Sequence, residues 1–154
     1  MMNASRALCL LSLLVFLSNP AQAQQSQDFG DFVVHFTAIK TDQIPPEVAR
    51  GYKINRSDGV ALLNITVLKK VMNTPGTPMR ATATASATNL TGQRRDIVLR
   101  EITEPSSDED RGAVYYIGEF RVHNRETFDI TIDLKPEGEE QSLQVNFRQQ
   151  FFVD

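Results

Sequence analysis

Thr127-Phe128-Asp129-Ile130-Thr131-Ile132-Asp133-Leu134 alternates polar and apolar residues without an error. Successive side chains of a strand point to opposite faces, so this stretch reads as a half-buried β-strand. The pattern resumes after Lys135-Pro136-Glu137-Gly138-Glu139-Glu140. Leu143, Val145, Phe147, Phe151 and Val153 share one face, with Gln149 its one polar member, opposite Ser142, Gln144, Asn146, Arg148 and Gln150. Pro and Gly among charges make the intervening segment a turn. The pair predicts an antiparallel hairpin with one dry and one wet face.

The same period recurs upstream. Phe32, Val34, Phe36 and Ala38 share a face of a first strand, and Ala61, Leu63, Ile65 and Val67 a face of a second within Val60–Val71. Met79–Leu90 reads as a third strand and Arg94–Thr103 as a fourth with less clean alternation. Val114, Tyr116, Phe120 and Val122 line a fifth, where Gly118 marks a bulge or a close approach of another backbone. Together with the hairpin this makes seven strands separated by turn signals such as Thr74-Pro75-Gly76-Thr77-Pro78. The expectation is an all-β antiparallel two-sheet sandwich, immunoglobulin-like, rather than a barrel. The one helical signal is Pro45–Gly51, with Pro and Glu at its start and Gly at its end; it predicts one to two turns between the first two strands. Gln24–Asp28 reads as a polar, unstructured lead-in.

The N-terminus carries an address. Arg6 precedes an apolar run, Ala7–Leu17, and Ser18-Asn19-Pro20-Ala21-Gln22-Ala23 closes it with small residues where a signal peptidase reads. Residues 1–23 are therefore expected to be a cleaved secretory signal peptide, cut between Ala23 and Gln24. The run is too short to span a bilayer that needs roughly 20 apolar residues, so no stable membrane insertion is expected after cleavage. Residues 24–154 then form a single β-sandwich domain, and the protein is expected in the periplasm. The sole cysteine, Cys9, lies in the leader, which removes thiol chemistry and disulfides from the mature chain.

The chain has 154 residues, 16 basic against 19 acidic, for a net charge of −3. A mildly acidic chain with interspersed signs has no footprint for nucleic acid. His35 and His123 are the only histidines. They fall on polar strand faces, and nothing in the sequence brings them together for metal or acid–base chemistry. Asp108, Asp110 and Glu119 have the offsets of a calcium loop, but Ala113 stands where that loop needs glycine. No nucleophile elbow or phosphate loop is present. The reading is a non-catalytic protein with no cofactor and no metal.

Val34-His35-Phe36, Pro46-Glu47-Val48-Ala49, Tyr52, Ile54, Arg56-Ser57, Leu63-Asn64-Ile65 and the closing Phe147-Arg148-Gln149-Gln150-Phe151 carry a resemblance. The chain resembles a family of small exported gammaproteobacterial proteins, the domain of unknown function numbered 4426. The resemblance implies a β-rich periplasmic domain and transfers no catalytic residue.

Two binding routes remain. A protein or envelope partner would use an open strand edge, for which the uncharged Ala81–Leu90 strand is the candidate, or the long connection Ile44–Asn64. A small ligand or carbohydrate would use a pocket near Tyr52 and Arg56, with Asn64 close by among apolar neighbours. The structural alternative for these three is that Tyr52 plugs one end of the sandwich, Arg56 pairs with a carboxylate and Asn64 caps a turn.

Overall fold

A computed structural model describes residues 25–106 and 112–154. The expected leader, its cleavage point at Ala23 and Gln24, and Asp108 and Asp110 lie outside the described residues. In chain order the elements are β1 (Gln25–Asp28), β2 (Phe32–Lys40), a 3-10 turn at Thr41–Gln43 and α1 (Pro46–Gly51). They continue with β3 (Val60–Lys69), β4 (Thr77–Met79), β5 (Ala81–Asn89) and β6 (Arg94–Ile97). The last four are β7 (Arg100–Glu104), β8 (Ala113–Arg121), β9 (Glu126–Pro136) and β10 (Leu143–Phe151).

Among the described residues ten strands, not seven, form two antiparallel sheets. The first has the order β1-β2-β3-β8-β7 with β4 also paired to β3, and the second the order β10-β9-β5-β6. The alternating faces read from the sequence meet between them. Phe32, Val34, Leu63, Ile65 and Val67 of the first sheet and Phe128, Ile130, Ile132, Leu143 and Val145 of the second are almost fully buried in one cluster. Phe120, Phe128 and Phe151 pack edge-on there, the geometry that ring quadrupoles favour.

Three differences from the sequence expectation have physical reasons. Gln25–Asp28 is a strand: it pairs with Val33–Phe36 through backbone bonds while all four of its side chains stay exposed, so no apolar period marks it. The expected fourth strand is two strands in different sheets, β6 pairing with β5 and β7 with β8. The chain changes sheets at Val98-Leu99, which blurs the alternation over Arg94–Thr103. Where it crosses it lies against β8: a Cβ on Gly118 would sit 2.6 Å from Ile97 Cγ2 and 2.7 Å from the Val98 carbonyl oxygen. Gly118 is thus the close-approach glycine of the two readings, and it keeps its regular partner Leu63. Finally, β5 is flanked by β9 along its whole length and by β6 over Ala85–Thr88. It is an interior strand there, and the outermost strands of its sheet are β10 and β6.

β3 carries the feature that shapes the site. Ala61, Leu62 and Leu63 are consecutive and all buried. In a strand this requires cover on both faces. Leu63 points into the sandwich; Leu62 points to the outer face, where the segment from Thr41 to Asn55 folds over it.

Candidate functional site

Local chemistry fixes the covering segment. Pro45-Pro46 sets the φ angles that open α1, with Glu47 in its first turn. The helix ends in a Schellman motif: Ile54 N–H donates to Ala49 O at 2.8 Å and Lys53 N–H to Arg50 O at 3.2 Å, with Lys53 in the left-handed region at φ 55°. The turn brings Ala49 and Ile54 together and sends both into a second apolar cluster with Ile44, Leu62 and Ile117. At the segment's base Thr41 is fully buried. Its hydroxyl accepts from Ser57 N–H at 2.8 Å and lies within reach of the Asn55 and Ser57 carbonyls. Arg56 donates to the Asp42 carbonyl oxygen. These bonds close the loop from Thr41 to Ser57.

Tyr52 fastens the other side to β7. Its hydroxyl donates to Glu104 Oε1, and Arg100 donates to its carbonyl oxygen. The bond to Glu104, followed by burial, pushes the Tyr52 phenol above its ordinary pKa, so it remains a neutral donor.

Cover and sheet do not close completely. Between them lies a cavity of about 380 Å³, within the range of roughly 300–1,000 Å³ that holds small molecules. Thr37, Leu62, Asn64, Tyr115 and Ile117 belong to its sheet side, and Ile44, Pro45, Val48 and Tyr52 to its cover. None of the lining residues is charged. Asn64 sits in mid-strand, opposite Thr37 on β2 and Ile117 on β8. Its Oδ1 is buried with no hydrogen-bond partner. Leaving such an acceptor unpaired costs about 1–3 kcal/mol.

Of the three residues singled out in the sequence, the structure brings Tyr52 and Asn64 to one pocket. Arg56 stays outside its lining as an exposed tie to a backbone carbonyl. Tyr52 lies on the outer sheet face, not at an end of the sandwich, and Asn64 caps no turn. Sequence reasoning missed Ile39, Ile102, Tyr115 and Ile117. The signal was available: Tyr115-Tyr116-Ile117 and Ala61-Leu62-Leu63 are continuous apolar runs, which a strand wet on one face would not have.

The histidines do not meet. His35 pairs with Thr66 on β3, whereas His123 follows β8, whose Arg121 pairs with Val60. Six residues of β3 alone separate those rungs by roughly 20 Å. His123 instead contacts Glu126 at 2.9 Å. Glu126 also accepts from Asn89 at 3.0 Å. Burial raises the Glu126 pKa, but those hydrogen bonds and nearby Arg95 outweigh it and hold the carboxyl below its ordinary value. Among the described residues no group of His, Cys, Asp or Glu is placed to hold a metal ion. Nor is any helix among them long and apolar enough to cross a membrane. A larger hollow, about 540 Å³, lies between Arg80–Thr82 and the turn 135–140. Of the charges that line it, Arg80 pairs with Glu101, and Glu139 with Lys69 outside the lining, each at 2.8 Å.

Residues 26–154 match the family model described as domain of unknown function (DUF4426), and the chain belongs to that family. A crystal structure of a DUF4426 family protein from Pseudomonas aeruginosa is similar to it, with 30% identity and a TM-score of 0.71. The alignment covers 87% of this chain and 98% of that one. The comparison with curated proteins gives no match.

Proposed function

We propose that this DUF4426 domain is an exported, non-catalytic periplasmic binding protein that takes a small apolar ligand in the cavity between α1 and the outer face of the first sheet. The observation that carries the reading is the cavity itself: a preformed apolar space with the polar side chain of Asn64 in its floor. Asn64 lines this space and its buried oxygen has no protein partner, so a ligand's donor would find an acceptor there. The leader-like N-terminus supports the compartment. The test is titration of the purified mature protein with neutral N-phenyl-1-naphthylamine. Saturable fluorescence enhancement is expected, and Val48→Trp, which fills the cavity mouth from a half-exposed position, abolishes it without lowering Tm. No saturable signal, or one indifferent to Val48→Trp, would remove the reading.

A second reading, a protein or envelope partner that adds a strand, is favoured by the edge of β10. This outermost strand runs nine residues, Leu143–Phe151. It has no proline or lysine, and its one charge, Arg148, is held by Asp129 at 2.7 Å. Little discourages strand addition there. A photo-crosslinker at Asn146 that yields no specific adduct in periplasmic extract would count against it.

A further inference from the structure

Taking the cavity as a ligand site, we infer that its ligand is an uncharged amphiphile: an aliphatic body with one neutral amide-type group that hydrogen-bonds Asn64. The inference deepens the binding reading above and rests on it.

Charge decides the first half. The cavity is lined by aliphatic and aromatic side chains with a few neutral polar groups, and by no Lys, Arg, Asp or Glu. Arg100 and Glu104, the charged residues bonded to Tyr52, are engaged by it, one at its carbonyl and one at its hydroxyl. A carboxylate, phosphate or ammonium entering this space would lose its water and gain no counter-charge. A neutral body loses nothing of that kind.

Asn64 decides the second half. A carboxamide offers one acceptor and two donors. In this structure it finds no partner for its buried oxygen, although it is flanked on the sheet by Thr37 and Ile117. The group that answers both ends of a carboxamide is another amide, with a donor and an acceptor side by side. Size sets the body. At about 30 Å³ per water-sized group, 380 Å³ holds roughly a dozen heavy atoms. Decanamide, a ten-carbon chain with an amide head, is of that size.

The experiment measures displacement of N-phenyl-1-naphthylamine from the mature protein by decanamide and by decanoate at neutral pH, in the natural chain and in Asn64→Leu. The expected result is that decanamide displaces the probe at a concentration about tenfold or more below that of decanoate. In Asn64→Leu that preference shrinks to within about twofold, through weaker decanamide binding. Equal displacement by the two ligands, or an undiminished preference in Asn64→Leu, overturns the inference and leaves the binding site standing. Probe binding that neither ligand displaces overturns it as well. Absence of probe binding removes the site and the inference together. The comparison of ligands on the natural chain stands even if the variant does not fold.

Discussion

The two faces of the six-stranded sheet are built on the same strands and behave oppositely. On the inner face the neighbours come mainly from the strands of the opposite sheet, and Leu63, Ile65 and Val67 are fully buried. On the outer face the neighbours come from one loop and a six-residue helix. Leu62 and Ile117 are buried at 7% and 6% exposure, yet a cavity remains beside them. A sheet packed on a sheet interdigitates along its whole length. A short covering segment touches a sheet only where its own side chains reach. The inner face is therefore stability, and the outer face is a place where something else can fit.

Adjacent leucines give the sharpest test of that contrast. Leu63→Ala opens a new void in a closed core and is expected to cost about 3–4 kcal/mol. Leu62→Ala enlarges a space that already exists, so the cavity component is small and the cost falls to about 2 kcal/mol or less. Urea unfolding of both variants measures the gap, and equal losses would break the distinction between the faces. Next in size is Gly118→Ala, which drives a methyl into Ile97 and the Val98 carbonyl where the chain changes sheets. It is expected to cost about 1–3 kcal/mol, with the damage centred on β6–β8 rather than on the cover.

Tyr52→Phe removes the bond to Glu104 and should cost about 1 kcal/mol, seen as faster hydrogen exchange at Ala49 and Ile54 while β9 is unaffected. The same residue has a pH signature. Its phenol is raised in the folded protein, so the folded state holds the proton more tightly than the unfolded chain. The associated stability is whole below the unfolded value of about 10 and is lost as pH rises through the folded one. The protection of the cover, taken relative to the intrinsic exchange rate at each pH, should therefore fall above about pH 10, and Tyr52→Phe should flatten that fall. Smallest is Asn64→Leu. In the ligand-free protein it removes an unpaired acceptor from apolar surroundings, so stability should stay level or rise by up to about 1 kcal/mol. A clear loss would mean that the carboxamide has a structural task.

How much of this the sequence disclosed follows the same division. The hairpin Phe128–Phe151, the inward faces of β2 and β3, and the helix after Pro45 were legible, because one buried face leaves an alternating trace. Gly118 was legible as a special position, since a glycine among Val114, Tyr116 and Phe120 costs packing unless something lies against it. The outer face left a trace of another kind, the apolar runs Ala61-Leu62-Leu63 and Tyr115-Tyr116-Ile117, which a search for alternation passes over. Leu62, Tyr115 and Ile117 fell at the supposedly polar positions of their strands, and a period of two treats such residues as noise. Asn64 and Tyr52 stood out by type alone; what joins them is a register, Asn64 opposite Ile117, and a Schellman turn that aims Tyr52 at β7. β1 left no trace because only its backbone is used.

The isoleucines record which face a ligand touches. Ile39, Ile44, Ile54, Ile102 and Ile117 line the cavity, whereas Ile65, Ile97, Ile130 and Ile132 belong to the inner core. Methyl-labelled isoleucine NMR, with decanamide titrated into the mature protein, separates the two sets. The account predicts saturable shifts in the first set and almost none in the second. Shifts spread over both sets, or confined to the inner four, would contradict it.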